Sequence, residues 1–325
     1  MSRYKELTKK ISSYFTKDKD KTKSKFKRFI FGMRFTDGFA YKLIIYLMLF
    51  GLGYIYLYPL MYMISYSFMT MTDIIDVSVN WIPTKFTLEN YRLVWEAINY
   101  PRAFLDAIIL AGLPALSATI SSALIGYGFA KYDFPFKKTL MVLMILTFII
   151  PPQVTMMPTF RMYARYDLLG SIKTFIYPAI LGQGFNGAIY ILIFYSFFRM
   201  IPNSLMESAQ LDGAGPVKIF MKIAIPLAVP AIIIVFLFSF VWYYNETYLS
   251  GLFLRDSNML TLPLRVQQYI DSYASLYPEG SLASELMQSA KLAGNILTIL
   301  PLLVLFFFTQ KYFVEAIDKT GITGE

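Results

Sequence analysis

At 325 residues, with 56% hydrophobic and 16% charged side chains, the chain is too apolar for a soluble domain and has the composition of a polytopic membrane protein. It contains no cysteine and no histidine, which excludes a disulfide framework, a thiol nucleophile, a thiolate metal site and the commonest general base. A net charge of +9 would suit a nucleic-acid partner, but its distribution along the chain points elsewhere.

Residues 1–40 are lysine-rich, with KDKDKTKSKFKRF at 17–29. They read as a basic N-terminal tail, either solvated and orienting or, through Phe26, Phe29, Ile30 and Phe31, lying on anionic lipid. No cleavable signal peptide is expected, because the first apolar run begins near Tyr41 and is long enough to span. Six apolar runs, at about 41–69, 104–130, 139–159, 175–198, 223–244 and 293–313, reach the ~20 residues that cross a bilayer. All six are expected to be helical, since lipid offers no partner for backbone N–H and C=O groups. Pro59, Pro114, Pro178, Pro230 and Pro301 fall inside them and require neighbouring helices to satisfy the freed carbonyls.

The connection at 70–103 carries Trp81, Pro83, Tyr91 and Trp95, as a membrane-surface segment does. The second run ends in GYGFAKYDFPFKK at 126–138, where Gly126 and Gly128 are expected to admit close helix approach. The third ends in IIPPQVTMMP, and Pro151 and Pro152 are expected to stop or kink it. Lys and Arg divide unevenly: 21 of the 30 fall in residues 1–42, the second-to-third and fourth-to-fifth connections and the C-terminal segment. That bias places both termini and the fourth-to-fifth connection in the cytoplasm, and makes the basic charge a topology signal with no nucleic-acid role.

The most informative stretch is ESAQLDGAGPVKIFMKIAIP at 207–226, a polar interruption between two apolar runs. Ser204 and Glu207 have capping-box spacing. Gly213 suits a left-handed helix end, and Pro216 suits the first turn of the next helix. Glu207, Ser208 and Ala209, then Gly213, then Ile223, Ile225 and Pro226 resemble the coupling loop of ATP-binding-cassette importer permeases, EAA-x3-G-x9-I-x-L-P. WIPTKFTLENYRLVW at 81–95, the 126–138 segment, P-P-Q at 151–153 and TQKYFVEA at 309–316 resemble the carbohydrate branch of that family, closest to the smaller permease of maltose-type importers. Ala316 stands where the family has glycine, and the chain ends in GITGE. The resemblance spans about 41–318.

The resemblance implies an all-α, six-helix type I importer permease in a prokaryotic plasma (inner) membrane, with residues 41–325 as the permease domain and the coupling loop at 202–226. It implies a homologous second permease, a cytoplasmic cassette ATPase dimer and an extracellular solute-binding protein, the last docking near 71–103, 151–174 and 245–290. No G-x-x-x-x-G-K-[ST] phosphate cradle occurs, so Mg-ATP belongs on the partner ATPase; the chain is expected to be no enzyme and to hold no cofactor or metal. In a helix-in-groove contact, Leu205, Met206, Ala209, Leu211 and Ala214 would supply apolar anchors. Glu207 and Asp212 would pair with basic residues, beside Ser204, Ser208 and Gly213.

For the sugar path, WYYNETY at 242–248 offers Tyr243, Tyr244 and Asn245, with Gln183, Asn186 and Tyr190 as further candidates, since aromatic faces and amides suit sugar rings and hydroxyls. An aromatic belt explains the first group equally, and helix–helix hydrogen bonds the second. Ionisable residues are scarce in the spans, which disfavours a proton- or sodium-coupled secondary transporter. Asp106 is expected at a solvated outer position. A permease for a non-sugar solute is the nearer alternative.

Overall fold

The computed structural model describes residues 38–255, 257–276 and 282–319; the basic segment before them lies outside the described residues. Every regular element among these residues is helical, and none is a strand.

α1 (Phe39–Ser67) is a continuous helix of 29 residues, ~44 Å long, which exceeds the ~30 Å bilayer core. It is apolar all round, and large side chains such as Phe50 and Tyr56 are about three-quarters exposed. Such a surface is one that lipid or a partner helix covers.

The connection that follows folds on itself. Thr70 caps α2 (Met71–Ile75) in a reciprocal capping box with Asp73. The Asn90 amide, on α3 (Glu89–Ala97), donates to the carbonyls of Ser67 and Met69 at 2.9 Å.

α4 (Tyr100–Lys131) is the axis of residues 66–325. Ala103, Ala107, Ala111 and Ala115 recur every four residues, so they share one face, and all four are fully buried. Small side chains there let α11 (Val229–Asn245) pack closely against it, while α8 (Gly187–Met200) packs further along, around Ala118, Ala123 and Tyr127. Leu105, Leu113, Leu116, Ile120 and Leu124 face away and stay about half exposed. The closest approach is at Gly126: a Cβ there would lie 2.6 Å from the Phe194 Cβ and 2.9 Å from the Ile191 carbonyl oxygen. The expectation for Gly128 fails, because it faces open space.

α14 (Leu282–Lys319) packs on α3 and α11. Pro301 lacks the N–H that would bond the Leu297 carbonyl, and the Tyr100 hydroxyl fills that vacancy at 3.0 Å. The next carbonyl, of Thr298, accepts from the Tyr244 hydroxyl at 2.9 Å. Two tyrosines far apart in sequence thus hold the carbonyls beside one proline.

Three of the expected spans are broken. The run at 139–159 is α5 (Lys137–Ile149) and α6 (Pro152–Arg165), bent by 96° at Pro151, where two successive prolines forbid a continuous helix. The run at 175–198 is α7 (Lys173–Ile180), a turn, and α8; Gly182 and Asn186 both take positive φ there. The run at 223–244 starts instead at Val229, since α10 (Pro216–Leu227) meets α11 at 76°, between Pro226 and Pro230. The middle turn of α10, Phe220–Ala224, is π-helical. Among the described residues three helices are by themselves long and apolar enough to cross a membrane, and up to six spans result if α5 with α6, α8 with the helix Asn203–Leu211, and α10 with α11 each count as one.

Candidate functional site

Two features of residues 66–325 combine exposure with chemistry. The first is a cavity of about 500 Å³ among α5, α6, the α7–α8 turn and the far end of α11. The turn builds one wall. Its backbone closes on itself, with Gln183 N–H donating to the Pro178 carbonyl at 2.8 Å and Gly187 N–H to the Gly184 carbonyl at 2.9 Å. From α4, the Ser121 hydroxyl donates to the Ala179 carbonyl at 2.6 Å and fixes the end of α7. The Tyr243 hydroxyl accepts from the Phe185 N–H at 3.4 Å, and a Cβ on Gly184 would sit 2.7 Å from that oxygen. The opposite wall is α6, whose Thr155, Thr159 and Tyr163 fall at four-residue steps on one face.

Of the residues singled out for a sugar path, Gln183, Asn186 and Tyr243 line this cavity together. The others do not. Tyr244 is fully buried and spent on Thr298 of α14, because successive helical residues point about 100° apart. The exposed Asn245 amide folds back onto the Val241 carbonyl at 3.0 Å. Tyr190 is buried beside Phe194 in the helix core, one turn inside α8. Sequence reasoning missed Thr155, Thr159 and Tyr163, though their four-residue spacing was there to be read; Phe175 and Phe185 carried no signal apart from the many other aromatics.

The second feature is the polar interruption. α9 (Asn203–Leu211) starts after Pro202, so Ser204 lies within its first turn and the capping box expected with Glu207 does not form. Proline forces the start instead, and the Lys131 ammonium secures it. That group donates to the Ile201 carbonyl at 2.6 Å and to the Asn203 amide oxygen at 3.0 Å. The far end is as expected. Gly213 has φ +77°, its N–H donates to Gln210, and the Ala214 N–H donates to Ala209, both at 2.9 Å. This is a Schellman termination, followed by Pro216 in the first turn of α10.

Burial divides the face expected to meet a partner. Met206 is buried against Phe198, Ile201 and Ile219, and Ala209 and Ala214 are half-buried in the same cluster, so these three hold the loop to the helices and offer no anchor. Met206 is held there because α9 is amphipathic and its apolar face turns inward. Leu205, Glu207, Leu211 and Asp212 are exposed, Leu211 at 91%. Ser208 is exposed, but its hydroxyl is bonded back to the Ser204 carbonyl at 2.9 Å.

One expectation is overturned outright. Asp106 is not solvated: it is 2% exposed and paired with Arg265 at 2.9 Å and Arg102 at 3.1 Å. Arg265 lies on α13 (Leu262–Leu276), the helix after α12 (Tyr248–Phe253), and no local pattern announces a partner so distant in sequence. Among the described residues no group of His, Cys, Asp and Glu is placed to hold a metal ion.

Comparison with known proteins finds several relatives. The arabinooligosaccharides transport system permease protein of Halalkalibacterium halodurans is 26% identical over 276 residues, covering 84% of this chain and 93% of the relative. The polygalacturonan/rhamnogalacturonan transport system permease protein of Bacillus subtilis is 28% identical over 270 residues, 82% and 92%. The maltose/maltodextrin transport system permease protein of Escherichia coli K12 is 30% identical over 224 residues, 67% and 71%. A crystal structure of a bacterial ABC transporter involved in the import of the acidic polysaccharide alginate contains a chain of the same fold. Its TM-score is 0.70 at 21% identity, over 84% of this chain and 96% of that one. A family model described as binding-protein-dependent transport system inner membrane component matches residues 103–319. The chain belongs to that family of inner-membrane transport components.

Proposed function

We propose that the chain is a permease subunit of an ATP-driven importer that carries a sugar or oligosaccharide into the cell by alternating access. The observation that carries this reading is the family match over 103–319, which takes in both the cavity and the exposed α9–α10 loop. The relatives' sugar substrates support the solute class. In this reading α1, α4, α5 with α6, α7 with α8, α11 and α14 are the six spans. The permease domain is 41–325. Both termini and the loop at 202–226 face the cytoplasm, consistent with the distribution of Lys and Arg.

The chain itself catalyses nothing; Mg-ATP is bound by a cassette ATPase dimer. α9 lies in a groove of one ATPase, with Leu205 and Leu211 as apolar anchors and Glu207 and Asp212 as polar partners. A second, homologous permease completes the pathway, and an extracellular solute-binding protein delivers the sugar. The cavity lined by Gln183, Asn186 and Tyr243 is the part of the path on this subunit.

The test is ATP hydrolysis by the assembled complex with and without sugar-loaded binding protein. Stimulation is expected in the parent, and its loss when Leu211→Asp and Glu207→Ala are combined at the exposed face. Stimulation that survives the double change removes the coupling role from α9. A complex that imports no sugar in vesicles removes the function.

A further inference from the structure

We propose that the cavity takes an uncharged glycosyl unit and rejects a uronate. This rests on the reading that the cavity lies on a sugar path. The relatives leave the point open, since they handle both neutral oligosaccharides and polygalacturonan.

Among the described residues the lining contains no Lys, Arg, Asp or Glu. Its polar groups are the amides of Gln183 and Asn186 and the hydroxyls of threonines and tyrosines; Phe175, Phe185 and Trp242 supply flat apolar faces. Amides and hydroxyls exchange hydrogen bonds with sugar hydroxyls in either direction, and aromatic faces cover the C–H side of a ring. A carboxylate needs more. Withdrawn from water without a cation or several N–H donors, it loses more hydration than neutral groups return.

Among the described residues the cations nearest the cavity, Lys173 beside Thr174 and Arg255 beyond Phe253 included, do not line it. Arg161 stands two residues beyond Thr159, and Arg165 two beyond Tyr163, which puts both on the far side of α6 from the cavity. Arg265 and Arg102 are engaged by Asp106, and neither lines the cavity. A broken helix is also a familiar anion site, because its free N–H groups converge. Here α8 does begin at the cavity wall, but its turn takes up most of these groups, leaving those of Gly184, Asn186 and Ala188 without a backbone partner. The N–H groups of Gly182, Gln183 and Gly187 bond to Ala179, Pro178 and Gly184, and that of Ile189 to Asn186. The Phe185 N–H is taken by Tyr243.

The absence of cysteine supplies the test, since one introduced thiol is the only one in this chain. Thr159→Cys would be alkylated in the complete transporter in nanodiscs, and the rate read on this subunit by mass. Raffinose, maltotriose and arabinotriose serve as neutral probes, trigalacturonate as the acidic one. At least one neutral sugar is expected to slow alkylation at least fivefold, saturably, and trigalacturonate to leave it unchanged. Gln183→Ala in the same background should raise the half-protecting concentration about tenfold, and Gln183→Arg should confer protection by trigalacturonate. If Thr159→Cys fails to assemble, Thr155→Cys takes its place on the same face.

Protection by trigalacturonate at an equal or lower concentration overturns the inference and leaves the sugar path intact. No protection by any sugar, in a complex that still imports one, overturns it by taking the cavity off the path. A complex that imports no sugar overturns the proposed function with it.

Discussion

Asp106 and Arg265 are 159 residues apart in the chain, and their side chains meet at 2.9 Å. The carboxylate sits in the first turns of α4 and the guanidinium on α13, so this pair ties a late connecting helix to the axis of the bundle. Arg265 also donates to the Asn258 carbonyl, which holds the segment leading into α13. Asp106→Ala would leave Arg265, 20% exposed at its side chain, without its anion, at a cost of about 3 kcal/mol. A lower thermal unfolding midpoint is expected. Much of the loss should return in Asp106→Leu with Arg265→Met, because the desolvation cost leaves with the second charge.

Gly126 and Gly128 make a controlled comparison. Gly126→Ala drives a methyl into the Phe194 Cβ and the Ile191 backbone, which cannot rotate away, so a loss of about 1–3 kcal/mol is expected. Gly128→Ala meets nothing within 4 Å and should stabilise the helix by up to about 1 kcal/mol. Unfolding midpoints of the two variants, moving in opposite directions, check this.

Gly213→Ala forces a side chain into φ +77°, at about 1–2 kcal/mol, and loosens the end of α9. Gly215→Ala, at φ −71° in open space, should be silent. Binding-protein-stimulated ATP hydrolysis is expected to fall in the first variant alone.

Lys131→Met removes the donor shared by Ile201 and Asn203. With the start of α9 released from α4, stimulated hydrolysis should drop severalfold while basal hydrolysis persists. Lys131→Arg, which keeps a charged donor, should recover part of it. Equal loss of both activities would make Lys131 merely structural.

Asp73 lies in the connection after α1, where the Thr84 hydroxyl, then Thr70, donate to its carboxylate and hold it below the ordinary 3.8. A folded value below the unfolded one means that its contribution is present in full above about pH 4 and is lost as pH falls through the folded value. The protection factor of the Asp73 amide against hydrogen exchange should therefore be high at neutral pH and fall in acid, and Asp73→Asn should show low protection at both.

The helical class, the break at Pro151 and the glycine stop of α9 were legible because each rests on local chemistry: hydropathy over ~20 residues, proline without an N–H, glycine at positive φ. The breaks within the fourth and fifth runs were legible only in part. Gly182 and Pro226 mark them, yet an apolar run can hide a bend that tertiary packing supports. Asp106 was misread because its partner lies 159 residues away, and burial by a distant arginine leaves no trace in hydropathy. Tyr243 and Tyr244 illustrate the limit most simply: two adjacent tyrosines, one on the cavity and one on α14, separated only by the rotation of a helix.

The α9–α10 loop hangs between the ends of α8 and α11, and the opposite ends of those same helices, at Gly187 and at Trp242 with Tyr243, are cavity walls. The two helices are levers of ~21 Å and ~25 Å, so a tilt of about 5° at the loop displaces the cavity wall by ~2 Å. That distance exceeds the tolerance of a hydrogen bond. A movement too small to disturb the packing of either helix is thus large enough to make or release a grip on whatever the cavity holds.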